Sequence, residues 1–199
     1  LVNTYNLLWN KVATAQDGNG NITTYSYDPV TSNLLTIQRP AVGGLTPTVT
    51  KAWNNRGQLL TNTDETGMVT QMTYDIATEK LTSVVVDFGA SPHLNLTANI
   101  GYDAVGNTVS EQDRRGNTTT YLVDNLRRVT QKTDCAPFGY VTQYSYDANS
   151  NLLTLKRETG IPLTPWQTYT WTYSLSDKKA SLIDPATNIS SWFYDGADR

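Results

Sequence analysis

The sequence predicts an all-β chain built as a strip of repeated antiparallel β-hairpins. Three observations lead there. The dipeptide Tyr-Asp returns at Tyr27-Asp28, Tyr74-Asp75, Tyr102-Asp103, Tyr146-Asp147 and Tyr194-Asp195. Asp-x-x-Gly stretches with turn chemistry recur through the chain. The segments between turns alternate aromatic or aliphatic residues with Thr and Ser, the period-2 composition of a pleated, half-buried surface.

The beat is regular. Degenerate copies at Tyr5-Asn6, Trp53-Asn54, Val123-Asp124 and Tyr173-Ser174 complete a series whose second residues stand at 6, 28, 54, 75, 103, 124, 147, 174 and 195. The steps are 21 to 28 residues, and a fixed period in the twenties marks a repeat architecture. The short steps are split near their middle by Asp17, Asp64, Asp113 and Asp184, so a turn falls every 10 or 11 residues.

Each element follows from this rhythm. Asp17-Gly18-Asn19-Gly20, Asn54-Asn55-Arg56-Gly57, Asp64-Glu65-Thr66-Gly67, Asp103-Ala104-Val105-Gly106 and Asp113-Arg114-Arg115-Gly116 share one turn chemistry. The first residue accepts backbone N–H bonds, and the Gly takes the positive φ of a type I turn with a G1 bulge. In that register Thr31, Thr78, Arg127 and Ser150 stand where the Gly is expected. Before the turns, Thr23, Tyr25 and Tyr27 share one face, as do Tyr140, Thr142, Tyr144 and Tyr146, and Tyr169, Trp171 and Tyr173. After the turns come aliphatics: Leu34-Leu35, Leu59-Leu60, Leu81, Val129 and Leu152-Leu153. Cross-strand Tyr–aliphatic pairs are therefore expected, each worth a few tenths of a kcal/mol or more.

The longer steps hold Pro/Gly loops at 39–44, 87–92 and 159–165, read as elongated hairpin tips on one edge of the sheet. Good helix formers never accumulate, so no helix is expected. The alternative architecture is a β-propeller, since two units approach the length of a blade.

Composition narrows the function. The 199 residues are 38% hydrophobic and 17% charged, with net charge −3 and a pI near 5.0. No basic stripe exists to neutralise phosphates, so no nucleic-acid partner is expected. No stretch approaches the roughly 20 apolar residues of a membrane-spanning helix. Cys135 and His93 are each the only residue of their kind, which leaves no disulfide, zinc set or Cys–His nucleophile pair to expect. No cofactor or metal is expected. There is no initiator Met or signal-peptide pattern at Leu1, and the stretch from Phe193 to Arg199 opens a further copy. The whole of 1–199 therefore reads as one repeat strip, incomplete at both ends.

A Gly, two alternate aromatics, an Asp, then a turn and a following aliphatic together resemble the Rhs/YD-repeat family. The match is clearest at Gly20…Tyr25-Ser26-Tyr27-Asp28. The same offset of 8 from Gly to Asp holds at Gly67–Asp75, Gly116–Asp124 and Gly139–Asp147. The resemblance covers essentially the whole chain. It implies a curved β-strip, part of a hollow shell that encloses a C-terminal toxin in bacterial polymorphic toxins and Tc toxins. In the animal teneurins the shell belongs to an adhesion receptor. The implied partners are the remainder of the shell and an enclosed toxin polypeptide, and the implied location is secreted or at the bacterial cell surface. Neither the family's shell-closing core segment nor a toxin domain is identifiable here. Open sheet edges would favour self-association of this piece.

The same residues admit other readings. The recurring Asp residues suit paired glycosidase carboxylates less well than turns, because they recur at every turn. Asp17-Gly18-Asn19-Gly20-Asn21 resembles a calcium loop, but Ile22 stands where such a loop has Gly. Trp166 and Trp171 are the candidates for sugar stacking, and they carry the alternative function of a carbohydrate-binding or adhesion module with glycan partners. Asn21, Asn95, Asn117 and Asn188 lie in Asn-x-Ser/Thr contexts. The chain is expected to be non-catalytic. The repeat residues Tyr27, Asp28, Gly57, Asp64, Gly67, Tyr74, Asp75, Tyr102, Asp103, Gly106, Asp113, Gly116, Tyr121, Asp124, Tyr146, Asp147, Tyr194 and Asp195 are expected to be structural.

Overall fold

Alternating Thr/aromatic segments punctuated by Asp turns leave the backbone one economical solution, which is to pair each strand with the next. The computed structural model describes residues 2–195 and does so with strands and turns alone. The chain divides into two units, Leu1–Ala98 and Asn99–Arg199. The first carries β1 (Val2–Tyr5), β2 (Val12–Gln16), β3 (Ile22–Tyr27), β4 (Leu34–Gln38), β5 (Thr48–Trp53), β6 (Leu59–Thr63), β7 (Val69–Tyr74) and β8 (Leu81–Val86). The strand β9 (Leu96–Tyr102) crosses the division. The second unit continues with β10 (Thr108–Gln112), β11 (Thr118–Val123), β12 (Val129–Thr133), β13 (Val141–Tyr146), β14 (Leu152–Glu158), β15 (Trp166–Tyr173), β16 (Lys179–Ile183) and β17 (Ile189–Ser191).

Within the first unit, β1 to β8 pair antiparallel in chain order. Within the second, β9 to β17 do the same. The fold is thus all-β and built of antiparallel hairpins, and neither ladder closes on itself. A propeller would break the ladder after each four-stranded blade, and these ladders run on without a break.

Two kinds of hairpin alternate. In those that turn at the Tyr-Asp sites, the register shifts at the aromatic residue: Ser26 faces Thr36, but Tyr27 faces Leu34. The same shift occurs at Trp53, Tyr74, Val123, Tyr146 and Tyr173. Each is a β-bulge in which two residues of the second strand oppose one of the first. The doublets Leu34-Leu35, Leu59-Leu60 and Leu152-Leu153 sit at these bulges. The hairpins of the other edge pair without any shift.

The expected cross-strand pairs are present, with Tyr25 opposite Ile37, Tyr144 opposite Leu155 and Trp171 opposite Leu182. On the other face hydroxyls meet hydroxyls. Ser26 pairs with Thr36 at 2.6 Å, Ser145 with Thr154 at 2.6 Å and Thr172 with Ser181 at 2.7 Å. Among the described residues no hydrophobic side chain is buried, and Thr142, 9% exposed, is the one buried residue. Each sheet is therefore a single layer held by its backbone ladder and by pairs across neighbouring strands. The elongated loops after β4, β8 and β14 lie on the edge opposite the Tyr-Asp turns, as expected. A further one, 134–140 after β12, joins them.

Candidate functional site

The turns are carboxylate-centred. In Asp147's turn, Oδ1 accepts the N–H of Asn149 at 2.9 Å and of Asn151 at 2.8 Å. The Ser150 N–H donates to the Asp147 carbonyl, and the Asp147 N–H to the Asn151 carbonyl. Asp17, Asp64, Asp103, Asp113, Asp124 and Asp184 repeat this pair of bonds to the second and fourth residues on. Asn54 does so with an amide oxygen and Ser174 with a hydroxyl. The third residue on takes positive φ. Gly57, Gly67, Gly106 and Gly116 fill that place, and where Gly is missing, Arg127, Ser150, Asp177 and Thr187 adopt φ between 58° and 71°.

A second class of turn is one residue longer. At Asp28 the left-handed residue is Ser32, not Thr31, and at Asp75 it is Glu79, not Thr78. This corrects the register read from sequence. Thr31 and Thr78 hold no vacated Gly position. Their N–H groups donate to the Asp Oδ1 at 2.6 and 2.7 Å, and their hydroxyls do so at 2.9 and 2.8 Å. In these two turns the Thr supplies two donors, and the extra residue carries the reversal.

Sequence reasoning also missed the residue four after the Asp. Asn21, Asn107, Asn117, Asn151 and Asn188 each donate their side-chain amide to the second oxygen of the turn Asp at 2.8–2.9 Å. The signal was present, since Asn follows Asp by four in all five turns. Three of these residues are the Asn of the sequons noted above, and the fourth sequon's Asn95 donates to the Gly89 carbonyl at 2.9 Å. The bonds hold the turn carboxyls below their ordinary value. At Asp17, Asp103, Asp113, Asp147 and Asp184 the Asn amide is the largest cause. At Asp28 and Asp75 it is the N–H of the Thr.

The aromatic partner of the Asp acts on the neighbouring repeat. The Tyr27 hydroxyl donates to the Val12 carbonyl at 2.9 Å, Tyr74 to Leu59 at 3.0 Å, Tyr146 to Val129 at 2.9 Å and Tyr173 to Leu152 at 3.0 Å. Trp53 does the same with its indole N–H, to Leu34 at 2.7 Å. Each acceptor is the first residue of the preceding strand. It stands two residues outside the ladder that this strand makes with the aromatic's strand. At the bulged end the strands part, and a part-buried carbonyl needs a donor from elsewhere. The aromatic hydroxyl or indole supplies it. Burial raises the phenols of Tyr27, Tyr146 and Tyr173.

Cations then lace successive turns. Arg128, standing where other turns have Asn, bonds Asp124 Oδ2 through Nε and the Asp147 carbonyl through Nη1, both at 2.8 Å. Its guanidinium lies 4.8 Å from the Tyr146 ring centroid. Lys11 reaches the Ser32 carbonyl at 2.8 Å and lies over Tyr27, and Arg56 reaches the Ile76 carbonyl at 2.8 Å.

The remaining sequence candidates fall elsewhere. Tyr102 ends β9 opposite Thr108. Tyr121 donates to Glu111 Oε2 at 3.0 Å and makes no staple to a carbonyl. Lys178 lies 5.0 Å from the Tyr194 ring centroid. The turn expected after Asp195 would fall on 196–199, outside the described residues. Trp166 and Trp171 are five apart on β15, so they project from opposite faces of the sheet and form no shared platform. Trp171 instead lies beside Tyr169, with centroids 6.1 Å apart.

The chain matches no protein-family model and no curated protein by sequence. Solved structures do match. The TcdB2-TccC3-TEV structure is 19% identical with a TM-score of 0.69, over 94% of this chain and 10% of that one. The TcdB2-TccC3-Cdc42 structure is 19% identical with a TM-score of 0.67, over 87% and 10%. The Tc holotoxin pore of Photorhabdus luminescens, carrying TccC3-D651A, is 15% identical with a TM-score of 0.64, over 98% and 13%. The chain thus spans about a tenth of the length of the chains it matches. At these identities the likeness is one of fold, and the fold is that of Tc toxin structures whose shell is built from Rhs/YD repeats, as the Tyr-Asp beat implies.

Proposed function

We propose that this chain is a structural, non-catalytic panel of a repeat wall, which encloses a toxin polypeptide or scaffolds a secreted or cell-surface bacterial protein. One observation carries the reading: the repeated side chains serve the wall. From Asp17 to Asp184 the carboxylates of the repeat turns are occupied by their own turns, and the stapling aromatics are occupied by the preceding repeat. A carboxylate saturated with turn donors is a poor general base, and a phenol donating to a backbone carbonyl is a poor nucleophile. The shared fold with Tc toxin structures supports a toxin-associated role. The partners in this reading are the remainder of the wall and the polypeptide behind it. A continuous hydrogen-bonded wall would separate that polypeptide from water and proteases.

The test uses the full-length parent. Small-angle scattering is expected to show a hollow particle, and an added protease should spare the enclosed segment until the wall is unfolded. A solid or extended particle overturns enclosure. A turn Asp whose change to Asn abolished a hydrolytic activity without loss of fold would overturn the non-catalytic reading.

A further inference from the structure

Two elongated tips of the second unit, 134–140 and 159–165, face each other and form a cleft that the wall itself does not use. One side is a pair of parallel rings, Phe138 and Tyr140, with centroids 5.5 Å apart and planes within 8°. The other side is Ile161, Pro162 and Pro165, and Glu158 lines the cleft with them. The rings do not serve as a core, because Phe138 is 72% exposed.

The cleft is held in shape before any ligand arrives. Gly160 has φ +71°, and a Cβ there would run into the Tyr140 hydroxyl, so the second tip closes against that ring only with Gly. The Thr159 hydroxyl donates to the Thr164 carbonyl at 2.6 Å and closes the tip on itself. Glu158 Oε2 accepts the Val141 N–H at 2.7 Å, which fixes the carboxylate. No cation pairs with that carboxylate among the described residues. An apolar, ring-lined groove with one anchored, unpaired negative charge is complementary to an apolar chain carrying one positive charge.

We propose that this cleft binds an extended, proline-rich peptide segment with a basic residue, its proline rings on Phe138 and Tyr140 and its cation at Glu158. Aromatic grooves suit such segments because the polyproline conformation is already formed and loses little entropy on docking. A sugar fits less well. It would bring several hydroxyls to a lining that offers one carboxylate and one phenol, and hydroxyls buried without partners are costly. The inference rests on these tips alone and is independent of the enclosure reading.

The test titrates the chain with a fluorescein-labelled peptide alternating Pro and Leu and carrying one Arg. A counterpart with Glu in place of that Arg, and a set of oligosaccharides, are titrated alongside. The Arg peptide is expected to bind saturably and about tenfold more tightly than the Glu peptide. Glu158→Gln retains an oxygen for the Val141 N–H and is expected to erase that preference. Phe138→Ala, at an exposed position, is expected to weaken the Arg peptide about tenfold while the far-ultraviolet spectrum stays unchanged. Equal binding of the two peptides, no saturable binding, a preference that survives Glu158→Gln, or oligosaccharide binding lost in Phe138→Ala would each overturn the proposal.

Discussion

The Tyr146 hydroxyl donates to the Val129 carbonyl at 2.9 Å, across the bulged end where β12 and β13 have parted. This one bond joins a Tyr-Asp site to the strand that begins after the preceding Asp, at Asp124. Its counterparts at Tyr27, Tyr74, Tyr173 and Trp53 make it a rule of the repeat.

Tyr146→Phe removes the hydroxyl and leaves a part-buried carbonyl without its donor. The expected loss is about 1 kcal/mol in urea unfolding. Tyr144→Phe, on the same strand and face, removes no such staple and is expected to be near neutral. Equal losses for the two would sink the staple as a stabilising element.

Thr187 is a β-branched residue held at φ 68°, a conformation that is costly for any side chain and most of all for a branched one. Thr187→Gly is expected to stabilise by about 0.5–1 kcal/mol, the relief of strain outweighing the greater freedom of Gly in the unfolded chain. Gly116→Ala, in the mirror experiment, is expected to destabilise, because Gly116 has φ +85° in the equivalent turn position. Thermal unfolding of both variants reads the two signs.

The turn carboxyls give the chain an acid limit. Their folded values lie below the ordinary 3.8, lowered by the hydrogen bonds of the turn. Their contribution is therefore fully present above 3.8 and is lost as pH falls through the lower folded values. The unfolding midpoint should be flat with respect to these groups near neutrality and drop in acid. Asp113→Asn is expected to keep its turn, since Asn54 folds the same turn with an amide oxygen, and to flatten the acid drop. A steeper acid dependence in that variant would contradict the assignment.

Gly101 faces Ser110 across β9 and β10, and a Cβ at Gly101 would run into the Ser110 hydroxyl. Gly101→Ala is expected to cost about 0.5–1 kcal/mol, because the Ser110 hydroxyl must leave its rotamer to admit the methyl. Adding Ser110→Ala should recover most of it. A double-mutant cycle measures the coupling, and additive losses would show that the two side chains do not meet.

Much of this was legible in the residues. The strand and turn positions and the all-β class followed from the period, because turn chemistry at Asp and Gly is local, while the likeness to Rhs/YD shells was implied by the family resemblance of the motif. The hairpin tips at 39–44, 87–92 and 159–165 were legible for the same reason. The staple was not. Tyr-Asp reads as a pair of neighbours in sequence, yet its halves serve different repeats: Asp28 closes its own turn and Tyr27 reaches back to Val12. The paired Asn was visible in the spacing but was masked by the abundance of Asn and Thr. The longer turn at Asp28 and Asp75 escaped because one extra residue changes which position reverses the chain.

The sequence by itself determined where the chain turns and which segments extend. Those choices depend on φ preferences and on hydrogen bonds spanning four or five residues. Only the tertiary structure decided what faces what. It set the bulge at each aromatic, the donor for each carbonyl left by the parting strands, and the separation of Trp166 from Trp171 onto opposite faces. It also brought Phe138 and Tyr140 up to Glu158 and the prolines of the neighbouring tip. Those relations depend on strand register, and register is fixed by the whole ladder together.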